Sequence, residues 1–226
     1  MKRAFLVLLC TMAACTPAST PPTPAPAPVS SAASDSFSRF VDDYFDSQFA
    51  YRPSQGTEAG LHQYDTKLED LSRARTEARN LELHSFLDRL GRLDRSKLSP
   101  DDLIDAAAIE GEIRSVLLDR ETLRTWQTNP IGYAGLPGFA ADGLIKRDFA
   151  PAAERLQSLV AREKLMPAIY ATARENLANP PKEFTDLAIR VSKGSAGYFA
   201  GTVARWAKEA AGDDISLWKE FEQTNG

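Results

Sequence analysis

"LSPDDLIDAAAIEGEIRSVLLDRETLRTW", residues 98–126, has the pattern of a long amphipathic helix. It opens with Ser99, Pro100 and Asp102, which supply a capping side chain, a proline at the first helical position and an acid in the first turn. Apolar residues then recur at helical spacing and predict one buried face, made of Ala106, Ile109, Ile113, Val116, Leu117 and Leu123. A helix with such a face needs other helices or a sheet to cover it.

The same spacing of apolar residues continues on both sides of this stretch. It is present in residues 35–53 and 72–94 before it, and in residues 151–212 and 215–221 after it. Pro53, Pro167 and "NPP" at 179–181 predict breaks between helices. No window shows the alternation expected of a strand, so we predict an all-α fold, an antiparallel helical bundle or array.

One segment interrupts the helical pattern. "QTNPIGYAGLPGFAADGLIKRD", residues 127–148, is rich in glycine and proline and predicts a long irregular loop. Long loops in compact domains are often functional, so we take Trp126, Asn129 and Tyr133 as candidate binding residues. The alternative is a loop that only packs over the bundle.

The amino terminus has the features of an export signal. "MKRAFLVLLCTMAAC" combines a basic start, a short apolar run and small residues before Cys15. It resembles a bacterial lipoprotein signal, with Met12 where such signals usually have leucine, and we predict a signal peptide at 1–14 with lipid attachment at Cys15. The alternative is ordinary cleavage, which would give a soluble periplasmic protein.

Two further segments follow the predicted signal peptide. Residues 15–34 are rich in Pro, Ala, Ser and Thr and predict a disordered tether, which is followed by a helical domain at 35–226. We therefore expect an exported periplasmic or cell-envelope protein, held to the membrane by its lipid. Without Lys2 and Arg3 the chain has 25 basic and 31 acidic residues, a net charge of −6, so we expect no nucleic-acid partner.

The two histidines do not form a recognisable catalytic motif. His62 and His84 are 22 residues apart, and the chain has no His-Glu-x-x-His sequence. A His62–Asp65 pair could orient an imidazole, but the nearby Gly60 favours a hydrogen-bonded histidine in a turn. We keep His62, Tyr64 and Asp65 as candidate binding residues and assign no catalytic residue and no metal ligand.

Several runs in the chain together resemble a known family. "DDYFDSQFAYRPSQGTEAGLHQYDTKLEDLSR", "TWQTNPIGY" and "ARENLANPPKEFTDLAI" occur in the order found in the amino-terminal part of the bacterial domain-of-unknown-function family 885. The resemblance implies a largely helical exported lipoprotein related to zinc metallopeptidases of the gluzincin type. The family's "GLHxYD" run is matched by Gly60, Leu61, His62, Tyr64 and Asp65, but no catalytic role comes with it.

The chain departs from this family in length. Full-length members are more than twice as long and have a His-Glu-x-x-His motif in their second half, so the resemblance implies a truncated product or fragment. We expect no cofactor here, zinc being expected only in a full-length relative. The further partners implied are a peptide substrate or the missing carboxy-terminal part. The second hypothesis is a non-enzymatic helical lipoprotein that binds a partner or scaffolds an envelope complex, and the absent metal motif favours it for this chain alone.

The lipid-anchor interpretation predicts a simple labelling result. Cys15→Ala is expected to abolish incorporation of a labelled fatty acid, because the modified sulfur is removed. Cys10→Ala is the matched control and should keep the label, because the large Leu8 and Leu9 before Cys10 suit a processing enzyme poorly. Unchanged labelling of Cys15→Ala would refute the assignment.

Overall fold

A computed structural model describes residues 32–225. The predicted signal peptide, Cys15 and the tether as far as residue 31 lie outside the described residues. Within the described part every regular element is helical and no strand is present. The α-helices, in chain order, are α1 (Ala32–Tyr51), α2 (Pro53–Glu58), α3 (Arg73–Gly91), α4 (Pro100–Leu117), α5 (Thr125–Thr128), α6 (Ile131–Ile145), α7 (Ala152–Glu163), α8 (Met166–Asn176), α9 (Lys182–Tyr198), α10 (Ala204–Ala211) and α11 (Ile215–Asn225).

Four shorter helical pieces complete the path. His62–Tyr64 and Arg95–Lys97 are single 3₁₀ turns. Leu118–Leu123 and Phe199–Val203 are π-helical and directly continue α4 and α9, so α9 runs on into α10 without a break. Such wide turns are rare and often lie at functional sites.

The all-α prediction is confirmed, and so are its local signals. Ser99 and Asp102 form a capping box, in which the Asp102 backbone N–H donates to the Ser99 hydroxyl at 3.1 Å and the Ser99 N–H donates to the Asp102 carboxylate at 3.4 Å. Pro53 begins α2, and Pro167 lies in the first turn of α8, where its missing N–H costs nothing. Leu123 was wrongly placed on the buried face of α4, because the π-helical turn rotates it outward and leaves it 59% exposed.

The prediction of a long glycine- and proline-rich loop is wrong. Residues 131–145 form α6, a helix with Pro137 inside it. Much of α6 is buried, including Tyr133, Ala140 and Leu144, because α2, α7, α8 and α9 pack around it. Tertiary packing therefore overrides the low helix propensity of glycine and proline. The Asn129 side chain helps to begin the helix by accepting from the Ile131 N–H at 3.0 Å.

Small residues let α6 and α9 approach closely. A methyl group added at Gly138 would be 3.5 Å from the Ser195 hydroxyl of α9. A hydrogen bond between the Tyr198 hydroxyl and the Asp142 carboxylate also joins the two helices. Burial and the neighbouring Asp142 charge both raise the pKa of Tyr198, so its hydroxyl remains a donor.

The apolar side chains form two large clusters and one small one. The first belongs to α1, α3 and α4 and contains Phe40, Tyr44 and Phe86, whose rings meet edge to face. The second is built by α6, α7, α10 and α11 around the fully buried Leu156 and Leu159. The third, made of Tyr133, Ile169 and Ala173, lies between α6 and α8.

The tight contact between Gly56 and the Tyr64 ring predicts opposite effects for two glycine substitutions. A methyl group at Gly56 would be 2.6 Å from a Tyr64 ring carbon, so Gly56→Ala should lower the free energy of unfolding by about 1–3 kcal/mol. Gly111 lies inside α4 with open space around it, so Gly111→Ala should raise it by about 0.5–1 kcal/mol. Urea unfolding of both variants measures this. Equal effects would contradict the packing described.

Candidate functional site

A cavity of about 470 Å³ lies where α1, α4, α5 and α6 meet, and three of the predicted binding residues line it. We call it the aromatic–arginine cleft and define it by Tyr51, Arg120, Trp126, Asn129 and Tyr133. The last three were chosen from sequence as members of a loop. The structure brings them together because α5 turns the chain back and α6 then presents Tyr133 to the same space.

The polar atoms of the three predicted residues are largely committed to holding the cleft together. The Tyr133 hydroxyl donates to the Trp126 carbonyl at 2.7 Å and accepts from the Asn176 amide at 3.1 Å. The Trp126 indole N–H donates to the Arg120 carbonyl at 3.1 Å. Burial raises the pKa of Tyr133, so its phenol stays neutral and serves the fold. These residues therefore shape the cleft, and their binding role stays a prediction.

The polar group left over in the cleft is a cation. The Arg120 guanidinium carbon is 4.5 Å from the centre of the buried Tyr51 ring, and its buried Nη1 has no hydrogen-bond partner among the described residues. Arg75 and Arg79 also approach the Tyr51 ring, but Glu82 pairs with both of them. Asp119 accepts from the Thr125 hydroxyl at 2.7 Å.

A second, smaller cavity of about 230 Å³ shares Tyr51, Arg52 and Arg120 with the cleft. No ion pair of Arg52 or Arg120 occurs among residues 32–225. An arginine that lacks a carboxylate partner and stacks on an aromatic ring is suited to a carboxylate or phosphate group. The cleft can therefore bind an anion beside an aromatic surface.

His62, Asp65 and Tyr64 lie elsewhere. His62 Nδ1 is 3.1 Å from the Asp65 carboxylate, and the imidazole stacks on Phe149 with the ring centres 3.9 Å apart. His62 and Asp65 line a different cavity, of about 300 Å³. The oriented pair considered from sequence is thus present, in a 3₁₀ turn. Tyr64 is buried and packs against Gly56.

A buried arginine ties this turn to the helices behind it. Arg162 of α7 is fully buried and donates to the Thr57 hydroxyl at 2.5 Å, the Lys67 carbonyl at 2.9 Å, the Tyr64 carbonyl at 3.2 Å and the Ala140 carbonyl at 2.6 Å. Thr57 in turn donates to Asp65 at 2.7 Å. His62 is therefore the exposed end of a chain of hydrogen bonds that begins in the core.

These groups do not fit a zinc site. A catalytic zinc needs three protein ligands, and no group of three or more His, Cys, Asp and Glu side chains that could hold a metal occurs within residues 32–225. His84 lies on the exposed face of α3, 2.9 Å from Glu121.

A fourth cavity involves a residue that sequence reasoning missed. It has a volume of about 470 Å³, lies between α7, α8, α9 and α11, and we call it the Glu163 pocket. Glu163 is 3% exposed; its Oε2 accepts from the Thr224 hydroxyl at 2.6 Å, and its buried Oε1 has no hydrogen-bond partner among the described residues. In the sequence it looks like an ordinary charged residue at the end of a helix, and nothing local indicates its burial.

Burial changes the acidity of Glu163. It raises the pKa of the carboxyl from its ordinary value of 4.5 to about 7, and the Thr224 hydrogen bond opposes this only in part. Glu163 is therefore a buried acid that titrates near neutral pH, on the wall of a cavity.

The described chain is thus an all-helical domain with cavities in the seams between its helices. It belongs to the DUF885 family of bacterial proteins of unknown function, whose family model matches residues 53–224. This confirms the family seen in the sequence. None of the described helices is both long and apolar enough to cross a membrane.

A solved structure shares the fold. It is described as a candidate lipoprotein of unknown function from Shewanella oneidensis and superposes with a TM-score of 0.74 at 24% sequence identity. The match covers 87% of this chain but 35% of the other, so the chain spans about a third of that relative. No curated protein matches the sequence.

The acidity of Glu163 predicts a pH-dependent effect on stability. Because the folded state raises its pKa, the stabilisation is complete below pH 4.5 and is lost as pH rises to about 7. Glu163→Gln, which cannot ionise, should gain about 3 kcal/mol relative to the wild type between pH 4.5 and pH 8.

Denaturant unfolding at several pH values measures this difference. Glu154→Gln removes an exposed glutamate from the same helix and controls for the loss of one negative charge. A constant difference between Glu163→Gln and wild type at all pH values would show that folding does not change the pKa of Glu163.

Proposed function

We propose that this chain is the amino-terminal helical part of a zinc-peptidase-like cell-envelope lipoprotein and is catalytically incomplete by itself. The observation that carries the proposal is the coverage of the solved relative: 87% of this chain superposes on 35% of a much longer one. In this proposal the metal chemistry belongs to the remainder of the longer protein, and the present segment supplies one wall of the substrate cleft.

The surface of α9 supports a partner that covers it. Phe184, Leu187, Ala188 and Val191 follow the spacing of a buried helical face, yet of these only Ala188 is buried. Phe184 is 40% exposed and Leu187 is 38% exposed. A half-covered stripe of this kind is suited to further helices of the same protein, and we propose the missing carboxy-terminal part as its occupant.

In this proposal the aromatic–arginine cleft is the part of the segment that binds the peptide substrate. Arg120 makes no ion pair within residues 32–225, keeps its Nη1 without a hydrogen-bond partner there, and lies beside the Tyr51 and Trp126 rings. A peptide carboxylate can accept from the guanidinium while its last side chain contacts the rings. This cleft is therefore proposed to bind the acidic end of a peptide substrate.

The anchor and the location are part of the same proposal. The signal-like start, Cys15 and the proline-rich tether would hold the helical domain at a short distance from a membrane surface. The description of the solved relative as a candidate lipoprotein agrees with a place in the cell envelope. A single acyl chain binds membranes only marginally, so stable anchoring would need the several chains of a bacterial lipoprotein.

The alternative is a non-enzymatic helical lipoprotein that binds a partner or scaffolds an envelope complex. It is favoured by the lack of a three-ligand metal group within residues 32–225. Reading the genomic DNA beyond Gly226 separates the two, because the first requires a His-Glu-x-x-His frame downstream, intact or shifted. Stoichiometric zinc and peptidase activity in the purified chain would overturn both.

The recognition role of the cleft predicts the effect of removing its cation. Arg120→Gln should weaken binding of an acetylated tripeptide with a free carboxylate by about ten- to a hundredfold, because one charge-assisted hydrogen bond is lost. Titration calorimetry on the full chain measures this. Arg124→Gln removes an exposed arginine four residues away and should leave the affinity unchanged. Equal binding of the peptide and its carboxamide to wild type would exclude a carboxylate site.

A further inference from the structure

The Glu163 pocket is a built cavity and is separate from the aromatic–arginine cleft. Its lining comes from α6, α7, α8, α9, the π-helical turn after α9, and α11, whereas the cleft is lined by residues before Ala134. The two cavities share no lining residue. Ligand binding in the Glu163 pocket is therefore independent of the proposed function of the aromatic–arginine cleft.

One end of the pocket has two unpaired hydrogen-bond acceptors. Glu163 Oε1 and Asn225 Oδ1 are both buried, and neither has a hydrogen-bond partner among the described residues. Both atoms belong to residues that line the pocket. Leaving a buried polar atom unpaired is costly, so a ligand that donates hydrogen bonds to these two atoms is stabilised in the pocket. A primary ammonium has three donors and can satisfy two acceptors at once.

Part of the pocket wall is apolar. Met166 and Pro167 at the start of α8 and Phe199 of the π-helical turn contribute to its walls. Methylene groups fit such walls, whereas a second charge there would be left unpaired.

The far end of the pocket has the opposite polarity. Arg174 also lines it as an exposed side chain that makes no hydrogen bond or ion pair within residues 32–225. Arg174 is eight residues beyond Met166 on the same helix, which corresponds to about 12 Å along the axis. The pocket therefore runs along α8 from an acidic end to a basic one.

We propose that the Glu163 pocket binds a zwitterion whose ammonium and carboxylate are separated by an extended apolar linker. The ammonium donates to Glu163 and Asn225, the linker lies against Met166 and Pro167, and the carboxylate accepts from Arg174. The hydroxyls of Ser192 and Ser195 on α9 face the same space and can accept or donate along the linker. No bond is made or broken.

Titration calorimetry with 8-aminooctanoate, on the whole chain, tests the proposal. N-acetyl-8-aminooctanoate lacks the ammonium and methyl 8-aminooctanoate lacks the carboxylate, and each should bind at least tenfold more weakly than the parent. No measurable binding of 8-aminooctanoate, or equal binding of all three compounds, overturns the proposal.

Variants assign the two ends of the pocket. Glu163→Gln should weaken binding of 8-aminooctanoate at least tenfold, and Arg174→Gln should make the free acid and the methyl ester bind equally. Unchanged affinity in Glu163→Gln would place the ammonium elsewhere and overturn the assignment.

A blocking variant keeps the test independent of the charged residues. Ala196 lines the pocket from the exposed side of α9, so Ala196→Trp should fill the cavity and abolish binding without touching the buried carboxyl. Ala171→Trp adds the same bulk to an exposed position on α8 outside the pocket and should bind as wild type does. Binding that survives Ala196→Trp unchanged would show that the ligand occupies another site.

Discussion

The arrangement of this domain depends on the buried guanidinium of Arg162. A charge removed from water is costly unless its donors are used and a counter-charge is near. Three acceptors come from the segment between Thr57 and Lys67, and one is the Ala140 carbonyl of α6. Asp65 supplies negative charge through the Thr57 hydroxyl, and burial still lowers the pKa of Arg162 below its ordinary value. Arg162 of α7 thus holds the turn that contains His62 in place against α6, the helix around which the others pack. The segment cannot move without leaving a buried charge unpaired.

Much of the helical organisation can be predicted from sequence because it depends on local chemistry. A capping serine, prolines at helix starts and apolar spacing act within a few residues, so the starts of α4 and α8 can be predicted from sequence, whereas the π-helical end of α4 cannot. The central helix α6 is not visible in this way. Its glycines and Pro137 are poor helix formers, and they are tolerated because four other helices surround the segment and small residues allow their approach. The small residues that allow other helices to pack closely around α6 are also residues that made the segment look like a loop in the sequence.

The candidate sites show the same difference between features set by local sequence and features set by tertiary packing. Trp126, Asn129 and Tyr133 were chosen as members of a predicted loop, and they line one cavity although that segment is largely helical; their binding role stays a prediction. The properties that give the cavities their chemistry could not be predicted from the sequence. Arg120 matters because it lacks a carboxylate partner, and Glu163 because it is buried, and both facts depend on residues distant in sequence. Arg162 and Glu163 are adjacent on α7, yet one binds the segment before Lys67 and the other faces α8 and α11.

Both 470 Å³ cavities include a residue from a π-helical turn. Asp119 and Arg120 come from the turn that ends α4, and Phe199 comes from the turn between α9 and α10. A π-helical turn widens the helix locally and is often found at functional sites. Its presence beside both cavities agrees with their selection as candidate sites. The glycine- and proline-rich segment, which the sequence predicted as a loop, is instead the helix α6, and it contributes lining residues to both cavities. It lends Tyr133 to one and Pro137 to the other, four residues and about one helical turn apart.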